Sequence, residues 1–299
     1  MFHKSTWLHL RIPFSFFLLP VFLFAVSISP NLNPDRLLIV FVVLHLFIYP
    51  ASNGYNSYFD RDENSIGGLK NPPKVRKELY FTALIFDVIG ILLALQVNLT
   101  FAVMVFIYGL VSKAYSHPSI RLKKYAWISW FIAGLFQGFF TFLMAYAGIN
   151  DFDSSVILQS KTLMPAMLSS LILWGSYPMT QIYQHEEDIK RGDRTLSYVL
   201  GIRGTFHFTA IFFTMAVGAY FLYFSQFFAV RYGWQFILAL LPVLIYFIYW
   251  YVQVRRSATA ADYTHTMRLN FISALCLNAF FIYFFLDHTH VLQAIRAGY

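Results

Sequence analysis

The chain has 299 residues, of which 58% are hydrophobic and 12% charged, with a net charge of +8. Soluble domains carry about 25% charged and about 45–50% apolar residues, so this composition argues against a soluble enzyme, a disordered chain and a nucleic-acid binder. The single cysteine, Cys276, excludes a disulfide scaffold; between Leu275 and Leu277 it reads as a small packing residue.

A membrane-spanning helix needs about 20 mostly apolar residues. Nine such runs succeed one another, over 13–29, 37–57, 80–95, 101–115, 126–149, 164–184, 206–230, 234–254 and 269–286. The expected fold is all-α, a polytopic membrane protein of nine transmembrane helices forming one domain over 1–299. The first run comes after Lys4 and Arg11 and ends near the small residues Ala25 and Ser27, as a signal peptide does. Eight further runs favour a first helix that is retained. The third and fourth runs meet at Val97-Asn98-Leu99 and read as a helical hairpin.

Basic residues test this division, because loops on the cytoplasmic side of a membrane are enriched in Lys and Arg. With the N-terminus inside, 18 of the 22 basic residues fall on the cytoplasmic side, and only Arg36, Lys161, Arg231 and Arg296 fall outside. The outer acids Asp35, Asp151, Asp153 and Asp287 balance those four, so the whole positive excess lies inside. The expected location is the plasma (inner) membrane, with the polar motif loops, near 56–77 and 184–205, facing the cytoplasm.

Two of these inner segments stand apart. Asn53, Asn56 and Asp60 are spaced by three and four residues, and so are Gln181, Gln184 and Asp188. At about 100° per residue each set shares one helical face, which Asn64 would extend by a turn. A charged loop is ordinarily just a solvated loop. Here the matched spacing and the polar residues Asn53 and Gln181 inside apolar runs point to a site, since polar groups within a span are expensive. Amide and carboxylate oxygens suit a hard cation such as Mg²⁺, which shares its ligands with phosphates. Lys70, Lys74, Lys190, Arg191, Arg194, Arg121, Lys123 and Lys124 lie nearby and could hold the remaining phosphate oxygens.

These residues resemble the UbiA-type intramembrane prenyltransferases. Asn56-x-x-x-Asp60-x-x-x-Asn64 is similar to the first Asn/Asp-rich motif of that family, and Gln184-x-x-x-Asp188 followed by Gly192 to the second. Tyr115-Ser-x-Pro118-x-x-Arg121-x-Lys123 resembles the element after the fourth helix. The resemblance implies helices around a central lipid-accessible cavity and transfer of an isoprenyl group from a prenyl diphosphate. The acceptor would be hydrophobic: an aromatic ring, a chlorin or haem precursor, or a lipid alcohol. Membrane lipids would surround the protein, and no nucleic-acid partner is implied. By the same resemblance Asn56, Asp60, Asn64, Gln184 and Asp188 would hold Mg²⁺, with Asn53 and Gln181 orienting them. Arg121, Lys123, Lys190 and Arg194 would stabilise the leaving diphosphate, to which Tyr115 would donate a hydrogen bond. Asp60, Asp188 and Lys123 would be the catalytic residues. Asn64 and Gln184 stand where the family usually has Asp, so the expected site carries less negative charge, with Asp62, Glu63, Glu186 and Glu187 close by.

Elsewhere, Asp87 lies mid-span and reads as a carboxyl bonded to a neighbouring helix. His45 reads as a core histidine, and Gly67-Gly68 as a flexible turn. The rival classes are a transporter or lipid-binding protein without catalysis, whose site would lie near the bilayer midplane, and a CDP-alcohol phosphotransferase, whose dense four-Asp run this chain lacks.

Overall fold

A computed structural model describes residues 3–150 and 154–291; the expected outer charges Asp151, Asp153 and Arg296 lie outside the described residues. The described elements are helices, joined by turns and by two isolated backbone bridges, Leu32 with Asn150 and Ile66 with Leu69. Seven helices are long and apolar enough to cross a membrane: Pro34–Asp60, Glu78–Leu95, Leu99–Ser116, Ala126–Ile149, Leu196–Phe227, Val230–Arg256 and Tyr263–His288. Lys4–Phe17 and Leu19–Ser27 make an eighth crossing if taken together, with a bend of 42° between them.

The first and sixth expected runs are the ones that no single long helix matches. Near the N-terminus, Arg11 takes a left-handed conformation (φ 48°), and Ile12–Phe17 is a tight 3-10 stretch with Pro13 in its first turn. The sixth run becomes a 17-residue helix, Ser160–Ser176, continued by a 3-10 turn at Tyr177–Gln181. Pro178 opens that turn, and its missing N–H cannot prolong an α-helix. By length and composition the described residues therefore give up to eight crossings, and the sixth expected run is the one without a crossing among them.

Local chemistry sets several helix starts. Asn33 accepts from the backbone N–H groups of Asp35 and Arg36, Asn98 from that of Phe101, and Asp262 from that of His265. Each such cap satisfies donors the helix cannot, a contribution of about 1 kcal/mol. The cap at Asn98 also closes the expected hairpin between Leu95 and Leu99.

The first segment packs against the last. Phe24, fully buried on Leu19–Ser27, stacks on Phe281 of Tyr263–His288 with ring centres 4.7 Å apart and meets Phe142 edge-on at 5.4 Å. The bundle is thereby closed around an interior cavity. Two π-helical turns, Val43–Ile48 and Leu135–Phe140, interrupt the helices that carry Asn53 and Gln137. Such turns shift the register of the residues after them and recur at functional sites. Ser170 of the neighbouring helix supports the second: its Oγ donates to the Gly134 carbonyl and accepts from the Phe139 N–H, both at 2.8 Å. This needs close approach at Gly138, where a Cβ would lie 2.5 Å from the Ser170 backbone.

The isolated polar residues are absorbed by packing. Asp87 pairs with Lys113 of the adjacent helix. His45 is 2% exposed, stacked on Phe41 at 4.7 Å, and does not line the cavity.

Gly138→Ala forces the Ala126–Ile149 and Ser160–Ser176 helices apart. We expect a loss of about 1–3 kcal/mol, read as a lower melting temperature of the purified protein in detergent. Gly218→Ala, where a Cβ meets nothing within 4 Å, is the control and should leave the melting temperature close to that of wild type.

Candidate active site

The Pro34–Asp60 helix brings Asn53, Asn56 and Asp60 to one end of the bundle. It stops at Asp60 because Arg61 takes a left-handed conformation (φ 51°). The chain then folds back, and Asp62 lines the polar chamber. Asn64 is therefore not on the helical face that its spacing predicted. It is exposed and does not line the chamber. Its backbone N–H and that of Glu63 donate to Glu187 Oε1 at 2.9 and 3.1 Å, which ties the two motif loops together.

The second motif is also not one helical face. Gln181 ends the 3-10 turn opened by Pro178, and Gln184 precedes the short helix His185–Lys190 that carries Asp188. All three still line the polar chamber. Gln184 Nε2 donates to the Ser65 carbonyl at 3.3 Å, while Gln181 Oε1 is buried without a partner. After Asp188 the chain turns at Gly192 (φ 76°), and the Asp193 N–H donates to the Asp188 carbonyl at 2.8 Å. This turn carries Arg191 and Asp193 into the chamber and leaves Lys190 and Arg194 exposed outside its wall. Lys190 and Arg194, expected to stabilise the leaving diphosphate, thus stand outside the chamber, and the cations that line it are Arg191, Lys123 and Arg11.

Ion pairs knit these segments. Lys123 Nζ meets Asp60 Oδ1 and lies 3.5 Å from Asn56 Oδ1. Asn56 Oδ1 also accepts from Ser116 Oγ at 2.7 Å. Arg191 pairs with Asp62 and, at 2.8 Å, with Asp188. Arg121 grips Asp193 with two parallel bonds of 2.8 Å, and that grip holds its guanidinium charged, its pKa raised above the usual range. Arg121 thus joins the 117–125 loop to the second motif. The Tyr115 and Tyr177 hydroxyls are hydrogen-bonded to each other at the chamber's inner edge. Burial, then the neighbouring Asp193, pushes the Asp188 carboxyl up to about 7, against the pull of Lys123.

The cavity has three connected chambers. A polar one of about 140 Å³ holds the groups just described. A middle one of about 230 Å³ carries Asn53, Gln137 and Asn270 on its wall. The largest, about 460 Å³, is apolar, with Phe17, Leu18, Val217, Leu244 and Leu277 among its lining residues. Tyr177 and Thr180 line all three.

Comparison with known proteins decides the family. The model of the UbiA prenyltransferase family matches residues 16–284. The chain belongs to the UbiA family. No curated protein matches it. Solved structures do. A UbiA homologue from Archaeoglobus fulgidus bound to GPP and Mg²⁺ is 17% identical, with a TM-score of 0.65 over 94% of this chain and 99% of that one. The apo structure of a UbiA homologue from Aeropyrum pernix K1 is 15% identical, with a TM-score of 0.66 over 92% and 97%. A structure of digeranylgeranylglyceryl phosphate synthase is 21% identical, with a TM-score of 0.59 over 93% and 97%. At these identities the likeness concerns the fold. Together with its apolar helices, the family makes this chain an integral membrane protein.

Sequence spacing misses two residues of this chamber, Asp193 and Arg11, and does not single out a third, Arg191. Asp193 comes five residues after Asp188, a non-helical interval. Arg191 looks like one more loop cation. Arg11 lies far away in the first segment, where a charge just before Pro13 in an apolar run is the available signal.

The Asp188 shift has a stability consequence. A carboxyl whose folded pKa is raised contributes stability below its unfolded pKa, and that contribution is lost as pH rises through about 7. Asp188→Asn, which stays neutral, therefore gains on wild type between pH 6 and pH 8. The difference in melting temperature, measured in EDTA, should grow by an amount equivalent to about 1 kcal/mol.

Proposed function

We propose that the protein transfers a prenyl group from a prenyl diphosphate to a lipophilic or aromatic acceptor, with Mg²⁺ as cofactor. The observation that carries this reading is the continuous cavity, with carboxylates and cations at one end and an apolar chamber at the other. An amphiphile with a phosphate head and a hydrocarbon tail matches that division. The gathering of charge at one end, away from the apolar chamber, favours it over a transporter with a midplane site.

The donor set fits the metal. Asn56, Asp60, Asp62, Gln184, Asp188 and Asp193 offer oxygen ligands, and Asp188 Oδ2 is buried without a hydrogen-bond partner. Among the described residues no three His, Cys, Asp or Glu side chains form a metal cage. That agrees with Mg²⁺, which takes one or two carboxylates and completes its shell with water and substrate phosphate. Bound there, it supplies positive charge to the diphosphate. Asn64, which lies outside the chamber, is no part of this set.

The protein's own groups have distinct tasks in this reading. Lys123 and Arg191 offer N–H donors to diphosphate oxygens, and Tyr115 donates its hydroxyl. Arg121 holds Asp193 and positions the second motif. Gln181 lines the same chamber, and its unpartnered Oε1 is placed to orient a bound ligand there. In transfer, the donor's C1–O bond breaks and its electron pair leaves on the diphosphate. An acceptor oxygen or ring carbon supplies a new pair to C1, and the displaced proton ends on the released diphosphate. Tyr108 and Tyr177 line the middle chamber, and their rings can shield the allylic cation. Fixed charges aimed at the leaving group are the largest source of rate in such a site.

We further place the polar chamber on the cytoplasmic side of the plasma membrane, a reading supported by the 18 of 22 basic residues on that side of the chain. The chain acts as one domain, supported by the contact of its first segment with its last.

Asp60→Ala and Asp188→Ala in purified protein should each weaken Mg²⁺-dependent binding of geranyl diphosphate at least tenfold by titration calorimetry, and EDTA should do the same to wild type. Unchanged binding in both variants would refute the assignment.

A further inference from the structure

The apolar chamber is not enclosed on every side. Among its described lining residues the exposed ones are Ala210 and Thr214 on Leu196–Phe227, and Leu241 and Leu244 on Val230–Arg256. The first and last segments contribute no exposed residue to this wall. They are joined by Phe24 on Phe281 and Phe16 on Phe271, with ring centres 4.7 and 5.7 Å apart. The opening therefore lies away from that seam, between the Leu196–Phe227 and Val230–Arg256 helices.

These two helices are sealed together on either side of the opening. Toward one end Tyr220 stacks on Phe236 at 4.6 Å and Phe221 meets Trp234 edge-on at 5.0 Å. Toward the other Phe206 packs against Trp250 and Tyr251, at 4.9 and 5.1 Å. Between the seals the helices stand apart. Val230–Ala239 ends at Leu240, and Leu241–Arg256 restarts with Pro242 in its first turn. Pro242 has no N–H for the preceding turn and crowds its carbonyl, which redirects the helix there.

Depth decides what can pass. Ala210 and Thr214 come 9 and 13 residues after the break in helical geometry at Gly201, roughly 14 and 20 Å along the axis at 1.5 Å per residue. The hydrocarbon core of a bilayer is about 30 Å thick, so the opening faces lipid chains near mid-depth. Of the four rim side chains only that of Thr214 is polar, and its hydroxyl donates to the Ala210 carbonyl at 2.8 Å. The rim is apolar in effect.

We propose that this window is the exit for the donor's hydrocarbon tail, and that the protein takes prenyl diphosphates with tails longer than the apolar chamber can hold. A tail that starts at a diphosphate in the polar chamber crosses the middle chamber and reaches the window last. Past the rim it exchanges one apolar surrounding for another, since lipid chains are as apolar as Leu. Additional isoprene units are therefore placed in the bilayer without penalty, whereas a closed chamber of about 460 Å³ would set a limit. The inference rests on the prenyl-transfer reading for the donor's place in the cavity.

The test compares geranyl diphosphate with solanesyl diphosphate, whose tail is several times longer. Each competes with radiolabelled geranyl diphosphate for the purified full chain in lipid nanodiscs with Mg²⁺. Wild type should bind both. Thr214→Trp and Leu241→Trp, which fill the window from its two sides, should each shift the affinity ratio at least tenfold against solanesyl diphosphate. Ile211→Trp, on the same helix as Thr214 but outside the chamber wall and 61% exposed, should keep the wild-type ratio. A rim variant that fails to fold reveals itself by losing geranyl diphosphate as well, and the second rim variant then decides. Wild type that binds geranyl but not solanesyl diphosphate overturns the proposal, as does an equal shift in Ile211→Trp. An unchanged ratio in both rim variants overturns it too and leaves the window to a membrane lipid. Failure of the prenyl-transfer reading would show separately, as no Mg²⁺-dependent binding of geranyl diphosphate to wild type, and would overturn this inference with it.

Discussion

The architecture of the polar chamber depends on one constraint: a carboxylate at the end of an apolar cavity needs a countercharge. Asp60, Asp62, Asp188 and Asp193 meet it through Lys123, Arg191 and Arg121. These residues come from three segments far apart in sequence. Most of these pairs are therefore also tertiary contacts. The left-handed end at Arg61, the turn at Gly192 and the break before Pro178 all bring acids and bases to one place. Removing one partner would leave a buried charge alone, which costs several kcal/mol.

The broad fold is legible in the sequence because its cause is compositional. Long apolar runs between polar loops read directly as spans, and the side assigned to the basic residues comes from the same division. Breaks within the runs are harder to see. Pro13 and Pro178 are visible, but whether a proline kinks a helix or ends it depends on what packs against the freed carbonyl. The π-helical turns have no signal in the residue pattern, because they are fixed by partners such as Ser170.

The candidate site is legible where its residues are helical and hidden where they are not. Asn53, Asn56 and Asp60 lie on one helix as their spacing implies. Gln181, Gln184 and Asp188 reach the same chamber through a broken segment, so residues grouped by helical spacing come together through a geometry other than the single helix that spacing implies. Asn64 and Arg194 lie past the ends of their helices and Lys190 at the last residue of its own, and the structure leaves all three at the surface. Asp62, Arg191 and Asp193 take those places, at intervals that only a folded-back loop can use.

The Pro34–Asp60 helix carries both Asp60, in the polar chamber, and Asn53, in the middle one. Seven residues of α-helix separate them, roughly 10 Å at 1.5 Å per residue. The two ends of the reaction are thus mounted on one rod. Its length, unlike that of a loop, does not respond to solvent, temperature or the movement of neighbouring helices. It is a built-in gauge, setting how far a group beside Asn53 stands from the charge at Asp60. Among relatives with the same rod, differences in product would then come from the opposing walls.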